Sequence, residues 1–339
     1  MKIALLCNGY GRVNRGAEQF TQMIYDHLSS SFDIDIWSIQ DTGTSFRDDI
    51  HIPWRNGRAY MESYRFGHKW YRSCDIAYDI VLNNAGWCGS YWCNRYRRKT
   101  GVPFVSFERG GGREEYLNLW MHPDCMIYLT EASRQRFHKK YKKRIKSRVI
   151  PIGIDLEPYQ NIKPDIELVN DLEHPIFLST SALVGFKRVD LSVDAVHHLG
   201  HGSLVQTSSG DMKDIITQRG REKLGDRFRY LGVIERDQLL GLYKASNVFI
   251  NSSIHEAFGI VYLEAMASGL PVVTQKDSHR MEIINNAGFF VDCTDIDSYA
   301  QALDLASKTN GGNSLKQVQK FSWKKLVPEY VDMIEEVAD

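Results

Sequence analysis

Short apolar, β-branched runs alternate with longer helix-spaced patterns along the whole chain, and this alternation constrains the fold more than any other feature. Strand candidates in the first half are Ile3–Cys7, Asp33–Ile39, Ile80–Leu82, Phe104–Phe107, Met126–Leu129 and Arg148–Ile150. In the second half they are Ile176–Ser179, Leu204–Thr207, Arg229–Leu231, Val248–Asn251, Val272–Thr274 and Phe289–Val291. Helical patterns such as Ala17–Leu28, Val189–His198, Arg236–Lys244 and Ile260–Ala267 lie between them. Strands that alternate with helices pair in parallel, with helices on both faces of the sheet. Two such series predict an α/β protein with two doubly wound, Rossmann-like domains. A length of 339 residues agrees, at roughly 150 residues per domain. The polar stretch Glu157–His174, with Pro158 and Pro164 inside it and Pro175 next, marks the boundary. We therefore expect one domain over residues 1–155 and a second over 156–320. The turn Asn310–Asn313 precedes a last amphipathic helix, Trp323–Val337. In open α/β sheets ligands bind beyond the carboxyl ends of the strands, so the expected site is a cleft between the two domains.

Charge excludes some partners. The 42 Lys and Arg residues balance 42 Asp and Glu, so no net field favours sequence-independent nucleic-acid binding. Apolar runs such as Ile3–Cys7 are far shorter than the ~18 residues of a spanning helix or the roughly 7–15 of a signal-peptide core. A cytoplasmic, non-secreted protein is the expectation. Its six cysteines form no CxxC pair and are read as reduced thiols. His197, His198, His201 and His279 lack metal-ligand spacing with any clear acidic partner.

Two stretches carry the chemistry. The first strand-to-helix turn, Asn8–Glu18, has Gly9, Gly11 and Gly16, but Asn14 stands where a dinucleotide fingerprint needs Gly or Ala. A tight turn that needs small residues and a phosphate-binding loop at a helix N-terminus both account for it. The second stretch runs from Asn251 to Val273. Its loop carries Ser252, Ser253, His255 and Glu256. Phe258-Gly259-Ile260-Val261 then turns into a helix that contains Glu264 and ends at Gly269 and Pro271. Backbone N–H groups near Gly259–Val261 would face an anion there, reinforced by the helix dipole. For either glutamate alone, a solvated side chain is the simpler reading.

Taken together, the segment resembles the E-x7-E signature of retaining GT-B glycosyltransferases, most closely the GT4-like group. Other stretches share the likeness. Ser181–Leu191, with Lys187-Arg188, is similar to the family's phosphate-binding segment, and Arg15-Gly16-Ala17-Glu18 to its N-terminal glycine loop. Pro151-Ile152-Gly153-Ile154-Asp155 resembles the domain junction, Tyr230–Val248 the stretch from the base-binding turn, and Phe321-Ser322-Trp323 the start of the final helix. In this family that helix crosses back onto the N-terminal domain, which implies the same for residues 321–339. The resemblance implies that Glu256 bonds donor-sugar hydroxyls, Glu264 the ribose, and Lys187 with Arg188 the diphosphate. It also implies that Gly16 approaches the phosphates and that the turn at Val233 meets the base.

The activity implied by this resemblance is that of a retaining glycosyltransferase. It would move a hexose from a nucleotide diphosphate sugar, GDP-mannose slightly ahead of UDP-glucose, without a metal or other cofactor. The acceptor would be a glycan, a glycoprotein or a lipid-linked sugar. A nucleotide-sugar epimerase and a catalytically silent nucleotide-sugar binder are the alternatives. The family's histidine after the fourth strand is missing. Phe107-Glu108-Arg109-Gly110 stands there instead, with Glu108 or Arg109 as candidate replacement sugar contacts. Arg134–Arg148 reads as a basic amphipathic helix, with Phe137, Tyr141 and Ile145 on one edge. Such a helix either docks that edge on the core or lies peripherally on an anionic membrane. Trp87, Tyr91 and Trp92, beside Arg95, Arg97 and Arg98, serve stacking on a sugar or core packing equally well.

Overall fold

Strands covered by helices on both faces carry near-continuous runs of apolar residues. The computed structural model, which describes residues 1–12, 16–41, 57–109, 113–141 and 145–339, forms a strand at each of the runs named above. The chain divides into two units: Met1–Gly153 with Trp323–Asp339, and Ile154–Ser322.

The first unit runs β1 (Lys2–Leu6), α1 (Gly16–Leu28), β2 (Asp33–Trp37), α2 (Gly57–Ser73), β3 (Ile80–Asn83) and α3 (Gly86–Thr100). It continues with β4 (Phe104–Phe107), α4 (Arg113–Trp120), β5 (Cys125–Tyr128), α5 (Glu131–Tyr141) and β6 (Ser147–Val149). All strands are parallel, in the order β2-β1-β3-β4-β5-β6. Ile3, Ala4, Leu5 and Leu6 of central β1 are fully buried, as that position in the sheet requires.

The second unit runs α6 (Glu157–Asn161), β7 (Ile176–Ser179), α7 (Val189–Leu199), β8 (Ser203–Thr207), α8 (Lys213–Leu224) and β9 (Phe228–Gly232). Then come α9 (Arg236–Ala245), β10 (Val248–Asn251), α10 (Ile260–Ala267), β11 (Val272–Gln275), α11 (Ser278–Ile284), β12 (Gly288–Val291), α12 (Ile296–Ser307) and α13 (Gly312–Val318). Its parallel sheet has the order β12-β11-β10-β7-β8-β9. The last helix, α14 (Trp323–Ala338), belongs to the first unit. It buries Trp323, Leu326, Tyr330, Met333, Ile334 and Val337. Gly153 lacks a side chain for a visible reason: a Cβ there would lie 2.5 Å from the Trp323 ring. Trp323 in turn stacks on His27, centroids 4.7 Å apart, and the Tyr330 hydroxyl donates to the Pro151 carbonyl at 3.1 Å.

Two expectations are corrected. The polar stretch Glu157–His174 is not a bare connection, because Tyr159, Val169 and Leu172 are buried in the second unit. Three apolar residues so widely spaced leave no periodic signal. The helix expected over Arg134–Arg148 ends at Tyr141, and Arg148 lies in β6, paired with Ile127. Lys142, Lys143 and Arg144 of that stretch lie outside the described residues. Phe137 is buried against Tyr128, ring centroids 5.8 Å apart, so this side chain serves the core.

Candidate active site

In the second sheet, β7 leads outward to β8 on one side, while β10, β11 and β12 build the other. Loops that leave the carboxyl ends of β7 and β10 therefore diverge, and such a switch point is where open α/β sheets bind ligands. Lys187 ends a 3-10 turn, Gly185–Lys187, after β7, and Glu256 sits on the loop after β10. Adjacent strands thus bring together residues 69 positions apart, and Lys187 Nζ donates to Glu256 Oε1 at 2.6 Å. Both side chains are largely shielded, at 17% and 10% exposure, so this ion pair is far less screened by solvent than a surface pair. Asn251 Nδ2 donates to the same carboxylate oxygen at 3.2 Å. The Lys187 ammonium also lies 5.2 Å from the centre of the half-exposed Phe186 ring.

Arg188 does not share this position. It takes a left-handed backbone conformation, φ 49°, as the N-cap of α7. Its Nε donates to the Ser252 carbonyl at 2.8 Å and its Nη2 to Gln275 Oε1 at 2.7 Å. The two neighbouring cations are therefore engaged by different partners. Lys187 faces the glutamate, whereas Arg188 ties the β7 loop to the β10 loop and to β11.

Glu264, in α10, makes the second cation–carboxylate pair. Arg236 Nη1 donates to its Oε1 at 2.6 Å, the Tyr159 hydroxyl to the same oxygen at 3.2 Å, and the Tyr243 hydroxyl to Oε2 at 3.1 Å. Arg236 also donates to Tyr159 Oη at 2.6 Å and lies over that ring. Burial works against the guanidinium's charge, but Glu264 and Tyr159 outweigh it and hold the Arg236 pKa above its ordinary value. Sequence reasoning missed Arg236 and Tyr159. A capping box, Glu235 with Gln238, fixes Arg236 as the first residue of α9, directly after the exposed turn at Val233.

A buried arginine braces the Glu256 loop. Arg280 is 1% exposed and donates through Nη2 to the Ser253 carbonyl at 2.8 Å and through Nε to the Tyr262 hydroxyl at 2.9 Å. Asp277, the N-cap of α11, balances its charge. This arginine was also missed, because nothing in a helical pattern says which side chain crosses to a neighbouring loop. Gly259 has φ +87°, and a Cβ there would lie 2.4 Å from the Tyr262 ring. The chain enters α10 through this residue, and the first-turn amides at Ile260 and Val261 have no earlier helical carbonyl to bond. Phe258 is buried edge-on against Phe321 and His279, so it holds the loop from below.

The expected residues of the first unit divide differently. Gly16 opens α1, with nothing within 4 Å of where a Cβ would stand. Asn14 and Arg15 of its motif lie outside the described residues. The Glu108 side chain is fully buried, and its Oε2 accepts from the Leu129 backbone N–H at 3.0 Å. Glu108 is therefore not a solvent-facing replacement for the family histidine, because it links β4 to the end of β5 inside the sheet edge. Arg109 remains partly exposed, with its backbone N–H on Glu115 Oε1 at 2.7 Å. Among the described residues no group of three or more His, Cys, Asp or Glu is placed to hold a metal ion.

Two parallel-sheet units of this kind define a GT-B fold. A solved sucrose-phosphate synthase from Thermosynechococcus elongatus superposes with a TM-score of 0.81 at 19% identity, over 99% of this chain and 98% of that one. Residues 161–325, just under half of the chain, match the family described as Glycosyl transferases group 1. An uncharacterized glycosyltransferase of Methanocaldococcus jannaschii is 36% identical over 144 residues, 39% of this chain and 37% of its own length. A protein of Escherichia coli is 27% identical over 222 residues, 57% of this chain and 56% of its own. It is named UDP-Gal:alpha-D-GlcNAc-diphosphoundecaprenol alpha-1,3-galactosyltransferase. The chain thus matches between about a third and somewhat over half of these relatives' length. The GT4-like resemblance read from the motifs is shown by these matches.

Proposed function

We propose that the protein is a retaining glycosyltransferase that moves a hexose from a UDP- or GDP-linked donor to a glycan or lipid-linked acceptor. The observation that carries the reading is the Lys187–Glu256 pair at the switch point, beside the N-terminus of α10. A diphosphate offers Lys187 more negative charge than one carboxylate does, and the first amides of α10 add to the attraction. As the diphosphate takes Lys187, Glu256 loses its cation and becomes free to accept from sugar hydroxyls. The same charge then stabilises the leaving diphosphate as the glycosidic bond breaks. On this reading cationic and helix-terminal groups do the work a metal would otherwise do. Glu264, held by Arg236, on this reading accepts from the ribose of that donor, whose base extends toward the exposed turn at Val233. The family match over residues 161–325 favours transfer over epimerisation or silent binding. The E. coli relative's name supports a UDP-sugar and a lipid-linked acceptor.

Calorimetry with UDP and GDP, in EDTA, tests the donor half. Lys187→Ala is expected to weaken binding of the preferred nucleotide by ~1.5–3 kcal/mol. Glu256→Ala is expected to abolish transfer while nucleotide affinity holds or improves, because its removal frees Lys187. Full transfer by Glu256→Ala, or an unchanged affinity in Lys187→Ala, would overturn the assignment. Inversion at the transferred anomeric carbon, read by NMR of the product, would overturn the retaining course.

A further inference from the structure

Helices α2 and α3 lie side by side in parallel register. Tyr60 meets Trp87 with ring centroids 6.0 Å apart, and Tyr64 meets Tyr91 at 5.9 Å. Further along, His68 and Tyr71 both pack on Trp92, at 4.8 and 5.4 Å. Gly67 permits the close approach, since a Cβ there would stand 2.5 Å from the Trp92 ring. Trp92 is buried beneath, while Met61 and Tyr64 on the outer side are 39% and 37% exposed. Exposed cations flank this aromatic stripe: Arg72, Arg95, Arg98 and Lys99, with Arg65 partly exposed. Arg95 lies over the Trp92 ring and Lys99 over the Tyr71 ring. In the sequence of the two helices the single carboxylate is Glu62, and it is paired with Arg12. A chain with balanced charge overall has therefore collected a strong local excess of cations around a ridge of tyrosine and methionine.

We propose that the α2–α3 surface docks the protein peripherally on an anionic lipid bilayer, with Tyr64, Tyr91 and Met61 entering the interface and the surrounding cations meeting lipid phosphates. Charge complementarity argues for this occupant. A sugar stacks on aromatic rings without needing flanking cations, and a purely polyanionic partner gives no role to exposed Met61 and Tyr64. Tyrosine and tryptophan sit favourably at headgroup level because each has an apolar ring and a polar tip. No helix among the described residues is long and apolar enough to cross a membrane, so the contact would be peripheral. The surface lies within the first unit, and the inference does not need the acceptor to be lipid-linked.

The test is co-sedimentation of the full chain with vesicles of phosphatidylcholine alone and of phosphatidylcholine with phosphatidylglycerol. Each basic side chain near an anionic surface multiplies partitioning roughly fivefold. Binding is expected to be more than about tenfold stronger on the anionic vesicles. Arg95→Glu with Arg98→Glu should return it to the neutral-vesicle level, and Tyr64→Ser with Tyr91→Ser should weaken it severalfold. Equal binding to both vesicles, or binding untouched by charge reversal, overturns the proposal. Loss on charge reversal with no effect of the tyrosine changes overturns the insertion and reduces the contact to adsorption. Binding of UDP or GDP by each variant confirms folding, and failure of both to bind the unaltered protein would strike the donor assignment alone.

Discussion

Burial pushes the Glu108 carboxyl up from an ordinary 4.5 to about 7, with Glu115 adding to the effect and the Leu129 amide and Arg136 opposing it. Proton counting gives the sign of the consequence. Between pH 4.5 and 7 the folded chain holds a proton that the unfolded chain has released, so stability falls as pH rises through that window. Below it the contribution is fully present. A shift of this size corresponds to roughly 3–4 kcal/mol in full, of which about 2–3 kcal/mol falls between about pH 5 and about pH 8. Glu108→Gln, which keeps an acceptor for the Leu129 amide, removes the dependence. Urea unfolding at about pH 5 and about pH 8 should show the variant gaining that amount on the original chain between the two values. A gap constant with pH would place Glu108 in contact with water. Nothing in Phe107-Glu108-Arg109 told which of the two charged residues turns inward. That choice is made by the alternation of faces at the end of β4, and it left the arginine, not the glutamate, toward solvent.

At the scale of the element, Gly259 is where sequence and structure agree most closely. A glycine ahead of an apolar helical pattern reads as a turn into a helix, and the left-handed φ with the Tyr262 ring behind it makes that requirement steric. Gly259→Ala is expected to cost ~1–3 kcal/mol. It should also weaken nucleotide binding, as the α10 amides and the Glu256 loop shift together. A melting temperature and a UDP affinity both unchanged would show that the loop tolerates a side chain there. The basic segment after Glu131 shows the opposite outcome. Its apolar spacing, Phe137, Tyr141 and Ile145, continues the helical period, yet α5 stops at Tyr141 and β6 begins at Ser147. Hydrogen bonding to the free edge of β5 outweighs local helical preference, and local pattern carries no record of that edge.

For the molecule as a whole, α14 shows how distant stretches of chain complete one core. Its buried face packs Tyr330 near Phe20 and Trp323 on His27, pairs that lie near opposite ends of the sequence. Tyr330→Ala is expected to lower unfolding stability by about 3–5 kcal/mol, measured by urea titration. A loss under about 1 kcal/mol would mean the helix is only loosely attached. Local sequence was enough for the strands of both sheets and for their parallel pairing. Both are written in the periodicity of the chain. The assembled fold was needed to show that Lys187 meets Glu256, that Arg188 turns away to brace Ser252, and that Arg236, Tyr159 and Tyr243 enclose Glu264. It was needed as well to show that Arg280 supports the loop at Ser253 from 27 residues beyond. Periodicity fixes which face of an element is buried. Which side chains meet across neighbouring strands depends on strand order, and strand order is set by the packing of the whole sheet.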